Sequence, residues 1–184
     1  MRNKSNAGFS YIDIMIAIVI LMVGILSIVA AISAAVVQAR GQEQQLTARH
    51  LAASAMASIM SVKETDPARL GWKAIGNVGT NPDINTGVFQ GIFVAGMQPV
   101  RMNAGPDEVI GTADDTGAVV NGFRRQIAIT DECDPDRPSY NCPTPGTEPV
   151  KIRMVVITVE YYVGRGLNTI QIVQPVTDTV QYDL

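Results

Sequence analysis

The chain has 184 residues, 47% of them hydrophobic, and a formal net charge of −3. That balance offers no global basic footprint for nucleic acid. The mean hydropathy of +0.17 comes mainly from one N-terminal run, and the remainder, roughly residues 63 to 184, is long enough for one modest domain.

The first segment, MRNKSNAG (1–8), is a short leader carrying Arg2 and Lys4. It ends in Ala7-Gly8, before the apolar run and not after it, unlike an ordinary signal peptide. From Ile14 to Val37, 24 residues pass without a charge. About 20 apolar residues span a bilayer as a helix, whereas the core of a cleaved secretory signal is about 7–15 residues. A single-pass transmembrane helix over 9–37 is expected, with the positive leader in the cytoplasm and the C-terminal part outside it. Asp13 stands inside the start of this run, where a carboxylate is costly and marks a functional position. Ser27, Ala31 and Ala35, spaced by four, are small residues that let helices approach closely in lipid, and Gly24 adds a contact point.

Beyond Gln38 the pattern turns amphipathic. Ala48, Leu51, Ala52, Ala55, Ile59 and Val62 fall at helical spacing, with Leu46, Ala53, Met56 and Met60 widening the stripe. Residues 9 to about 62 hold no proline, so the spacing predicts one helix of about 54 residues, close to 80 Å. Its second part, 38–65, should continue into a globular domain over 66–184, and Asp66-Pro67 marks its stop.

Residues 67–122 are rich in Gly, Pro and Asn, and read as loops with one or two short strands, as in VFQGIFVAG (88–96). Three clearer strands follow: FRRQIAIT (123–130), VKIRMVVITVEYYV (150–163) and LNTIQIVQPV (167–176), the last pair joined by a hairpin turn at Gly164-Arg165-Gly166. The pair Arg124-Arg125 reads as an outward strand face. Cys133 and Cys142 are separated by eight residues in a loop with two prolines, and in an exported domain such a pair reads as a disulfide. The expected fold class is α+β: a long N-terminal helix, transmembrane in its first half and amphipathic in its second, packed on a small antiparallel sheet.

The stretch Gly8-Phe9-Ser10-Tyr11-Ile12-Asp13, after a short basic leader and before an uninterrupted apolar helix, resembles the processing site of type IV prepilins. The resemblance implies that a prepilin peptidase cuts between Gly8 and Phe9 on the cytoplasmic side and N-methylates Phe9. It also implies that Asp13, in the place of the more usual Glu, is the carboxylate used in assembly. Phe9 and Asp13 are i and i+4 on one helix face. Asp13 of one subunit could therefore meet the Phe9 amine of its neighbour and set the axial register, because an unpaired charge in an apolar bundle is heavily penalised. The helix and the segments RRQIAIT, IRMVVITVEYY and GRGLNTIQIV are similar to those of PilV-type minor pilins. By this resemblance the chain is a structural subunit of a pilus or of its initiating tip complex. Its partners would be other pilin subunits, the prepilin peptidase and the inner-membrane assembly platform. Its location would be the bacterial inner membrane and then the pilus at the cell surface. Minor pseudopilins of type II secretion share this N-terminus and form an alternative; a signal-anchored binding module or enzyme is a third.

Other chemistry is sparse. Asp107, Asp114 and Asp115 lie in a Gly-rich turn that could offer oxygen ligands to calcium, without the spacing of an EF-hand. The simpler expectation is a solvated loop and no cofactor. His50, the single histidine, sits on an Ala-rich helix with no nucleophile motif beside it. No phosphate-binding glycine motif and no Cys/His cluster with zinc spacing is present, so no enzyme activity is expected.

Overall fold

A computed structural model describes residues 10–64, 71–83, 85–136, 138, 142–144, 146, 149–163 and 166–177. Gly8, Phe9, the Asp66-Pro67 stop and the turn residues Gly164 and Arg165 lie outside them. The elements are α1 (Tyr11–Glu64), the short α2 (Gly71–Ala74), β1 (Gln98–Asn103), β2 (Thr116–Glu132), β3 (Ile152–Val163) and β4 (Gly166–Thr177). The chain divides into two compact units, Met1–Gln42 and Glu43–Leu184.

The first unit holds the apolar half of α1. Its large side chains, from Tyr11 to Val37, are exposed. This is the one helix among the described residues long and apolar enough to cross a membrane, and 54 helical residues without proline fit the absence of a helix breaker in the sequence.

In the second unit the rest of α1 packs on a four-stranded antiparallel sheet of order β1-β2-β3-β4. The helix contributes Ala48, Ala52, Ala55, Met56, Ile59 and Val62 to the core. Leu51 is half-buried, while Leu46 and Ala53 are exposed, so the buried stripe is narrower than the apolar pattern. Small alanines at the start of the stripe bring the helix close to the sheet, and Ile59 and Val62 fill the space further on. In β3 the alternation is regular, with Arg153, Val155, Ile157, Val159 and Tyr161 inward. On β2, Ile127 and Ile129 face the same core.

The structure differs from the sequence pattern in three places. Residues 88–96 form no strand; they make two isolated bridges, Asn77 with Phe93 and Pro82 with Phe89. The strand of this region is β1, whose register on β2 shifts twice, which blurs any alternation in sequence. Second, β2 begins at Thr116, seven residues before the expected start, and carries Gly117 and Gly122 at positive φ. Third, only Arg124 is outward; Arg125 is buried, because consecutive strand residues point to opposite faces.

β1 ends its pairing with β2 at Gln98 opposite Arg125, which leaves the edge of β2 beyond Ile127 without a strand. The Asn77 side chain takes that place. Its Nδ2 donates to the Ile127 carbonyl at 2.8 Å and to the Phe93 carbonyl at 3.3 Å, and its Oδ1 accepts from the Ile129 amide at 2.9 Å. One carboxamide thus satisfies ladder groups that would otherwise be buried without partners. Gly91 passes so close to the Asn77 carbonyl that a Cβ there would collide with it. Arg153, 3% exposed in its side chain, ties α2 to the sheet. It donates to Asp131 Oδ1 at 3.0 Å, to the Trp72 carbonyl at 2.6 Å and to the Ile75 carbonyl at 2.5 Å, with its guanidinium 4.5 Å from the Trp72 ring centroid.

Candidate functional site

Helix α1 begins within the stretch that resembles a prepilin processing site. Ser10 lies just before the helix, and its carbonyl accepts from the amides of Asp13 at 3.0 Å and Ile14 at 3.4 Å. The Asp13 carboxylate turns back and accepts from the Ser10 amide at 3.2 Å. Ser10 and Asp13 thus make one half of a capping box, with the acid in the first turn where the positive end of the helix dipole favours it. Asp13 is exposed and therefore open to a further partner.

At 100° per residue, Asp13, Gly24, Ser27, Ala31 and Ala35 fall within an arc of about 80° on the continuous helix α1, over about 33 Å of its axis. The acid and the small residues share one face. An added Cβ at Gly24 would meet nothing within 4 Å, and the Ser27 hydroxyl donates to the Gly24 carbonyl at 2.8 Å. That internal bond satisfies the hydroxyl's donor, and the exposed Ile20 falls on the same arc.

The Asp-rich turn is tied to its own backbone. Asp107 Oδ1 accepts from the Val109 amide at 2.8 Å, Asp114 Oδ1 from the Thr112 hydroxyl at 2.6 Å, and both oxygens of Asp115 from the Gly111 amide at 3.2 and 3.0 Å. The Thr112 hydroxyl holds the Asp114 carboxyl below its ordinary range. Burial pushes Asp115 up, against the pull of the Gly111 amide and of Arg125. Gly111 has φ +98°, and a Cβ there would strike Ile127. Among the described residues no group of three or more His, Cys, Asp or Glu side chains is placed to hold a metal ion; the oxygens of the calcium candidates Asp107, Asp114 and Asp115 serve the turn.

Cys133 and Cys142 form a disulfide with Cα atoms 5.5 Å apart, closing part of the connection between β2 and β3. His50 is exposed on α1. Trp72 donates to the Val150 carbonyl at 2.9 Å, Tyr161 is buried and stacks on Phe123, and Tyr162 is exposed. Sequence reasoning missed the buried ion pair between Arg125 and Asp115 at 3.5 Å. The signal was present: Arg125 has the parity of Ile127 and Ile129 on an alternating strand.

No protein-family model, no curated protein and no solved structure matches this chain.

Proposed function

We propose that this chain is a minor type IV pilin: a structural subunit processed between Gly8 and Phe9, held in the inner membrane by the first half of α1, and built into a pilus or its initiating tip complex. The observation that carries the reading is the single helix face on which Asp13, Gly24, Ser27, Ala31 and Ala35 fall, following the Gly8-Phe9 junction in the sequence. Small residues allow close helix contact in lipid, and an acid at one end of the same face supplies the polar partner that fixes register. The α+β domain built on the second half of α1 gives that helix a head outside the membrane, and its disulfide suits an oxidising compartment.

The deciding experiment is the mass of the N-terminal peptide of the protein isolated from its native host. N-methylated Phe9 is expected. An N-terminus at Met1, or at a site beyond the span, would refute the reading. Gly8→Val should leave an uncleaved precursor that still inserts, because a Cβ obstructs the close approach of chain to peptidase.

A further inference from the structure

Two arginines occupy inward positions of the sheet, and they are held very differently. Arg153 is saturated: an aspartate, two carbonyls and an aromatic face surround it. The guanidinium of Arg125, whose side chain is 6% exposed, makes one hydrogen bond among the described residues, to Asp115 Oδ2 at 3.5 Å. That is long for a charge-assisted bond, which is ordinarily about 2.7–2.9 Å, and it uses one of the five N–H donors of the guanidinium. Both oxygens of Asp115 also accept from the Gly111 amide.

Two cavities, of about 320 and 330 Å³, meet at this pair, and both are lined by Arg125, Asp115 and Arg101. Neither Asp107 nor Asp114 lines them. Arg101 is exposed and donates to the Gly117 carbonyl at 3.1 Å. Among the lining side chains two guanidiniums stand against one carboxylate, with Asp107 and Asp114 close enough for their charges to act on Asp115. Val94, Pro99 and Ile127 give the first cavity an apolar wall.

We propose that this cleft binds a carboxylate: Arg125 and Arg101 receive the anionic head, and Val94, Pro99 and Ile127 take a short aliphatic stem. A guanidinium matches the two oxygens of a carboxylate in a planar fork, and the buried Arg125 has N–H donors left for it. A dianionic phosphate would be repelled about twice as strongly as a carboxylate by Asp115 and the neighbouring Asp107 and Asp114. The carboxylate belongs either to a free short-chain acid or to a Glu side chain of another protein.

The test uses the full-length chain in detergent micelles at constant ionic strength, titrated with butyrate, with butyramide and with a blocked Ala-Glu-Ala peptide, and followed by calorimetry and by the Nε–H resonances of ¹⁵N-labelled arginine. Saturable binding of butyrate that butyramide does not reproduce is expected, with the Arg125 resonance moving. Arg125→Met should abolish it. Arg101→Gln, at an exposed position, should weaken it at least about tenfold and carries the test if the Arg125 variant does not fold. Peptide competition with butyrate assigns the site to a protein side chain; butyrate binding without competition assigns it to a free acid. Either supports the proposal. Absence of saturable binding by both carboxylates, equal binding of butyramide, or full affinity in Arg101→Gln would overturn it.

Discussion

Replacing Asp13 with alanine separates what the acid does within one chain from what it does between chains. Within the chain its carboxylate accepts one bond, from the Ser10 amide at 3.2 Å, in an exposed first turn. A cap contact of this kind is worth about 0.5–2 kcal/mol, and the loss falls on one end of a 54-residue helix. Insertion should be unharmed, since an acid costs a membrane helix up to about 3 kcal/mol and least near its end. Between chains the arithmetic reverses. If Asp13 meets a neighbour's Phe9 amine in an apolar bundle, Asp13→Ala leaves that amine buried and unpaired, a penalty of about 3–5 kcal/mol, or at least a hundredfold in incorporation. The variant should therefore be processed and held in the membrane at normal levels, yet be lost from sheared pili and from complexes with other minor subunits. Asp13→Glu should restore assembly, because the charge is kept and the reach grows by one methylene. The assay compares mature protein in the membrane with protein co-purifying with sheared filaments. Normal assembly of processed Asp13→Ala would refute the pairing mechanism, and failure of processing would move the role of the acid to the peptidase step.

Three further outcomes follow from the second unit. Asn77→Ala strips partners from the Ile127 carbonyl and the Ile129 amide; at about 1–3 kcal/mol for each buried orphan, urea denaturation should show a loss of about 2–6 kcal/mol, and a loss under about 0.5 kcal/mol would contradict the edge-capping role. Reducing the Cys133–Cys142 bridge should cost about 2–3 kcal/mol by the chain-entropy model for a loop of about ten residues, and alkylation of both thiols in unreduced exported protein would show the bridge absent. Asp83 is held below its ordinary value of 3.8 by the amides of Asn85 and Thr86. Its contribution is present above pH 3.8 and fades as pH falls through the lower folded value, so Asp83→Asn should flatten the acid limb of the stability–pH profile; an unchanged limb would show that these bonds do not persist in solution.

Much of this protein is legible in one dimension. An uninterrupted apolar run without proline is enough to specify a membrane-length helix, since its backbone bonds are satisfied within the segment. The change to an amphipathic pattern after Gln38 locates the part that packs, and β-branched alternation locates β3 and β4. Two cysteines nine positions apart in a proline-containing loop close on each other through local chain geometry alone. The rest depended on partners distant in sequence. Residues 88–96 are apolar enough for a strand, but Asn77 and Phe93 join in a single bridge, and pairing with β2 goes instead to Gln98–Asn103, whose composition signals little. Leu46 fits the helical stripe and remains exposed, because burial depends on where the sheet lies beneath the helix. Arg125 and Arg153 have the same type and the same strand parity. One is surrounded by carbonyls from α2 and the loop after it; the other faces a cleft. Periodicity states which side of a strand a residue faces, and only the folded chain states what it meets there.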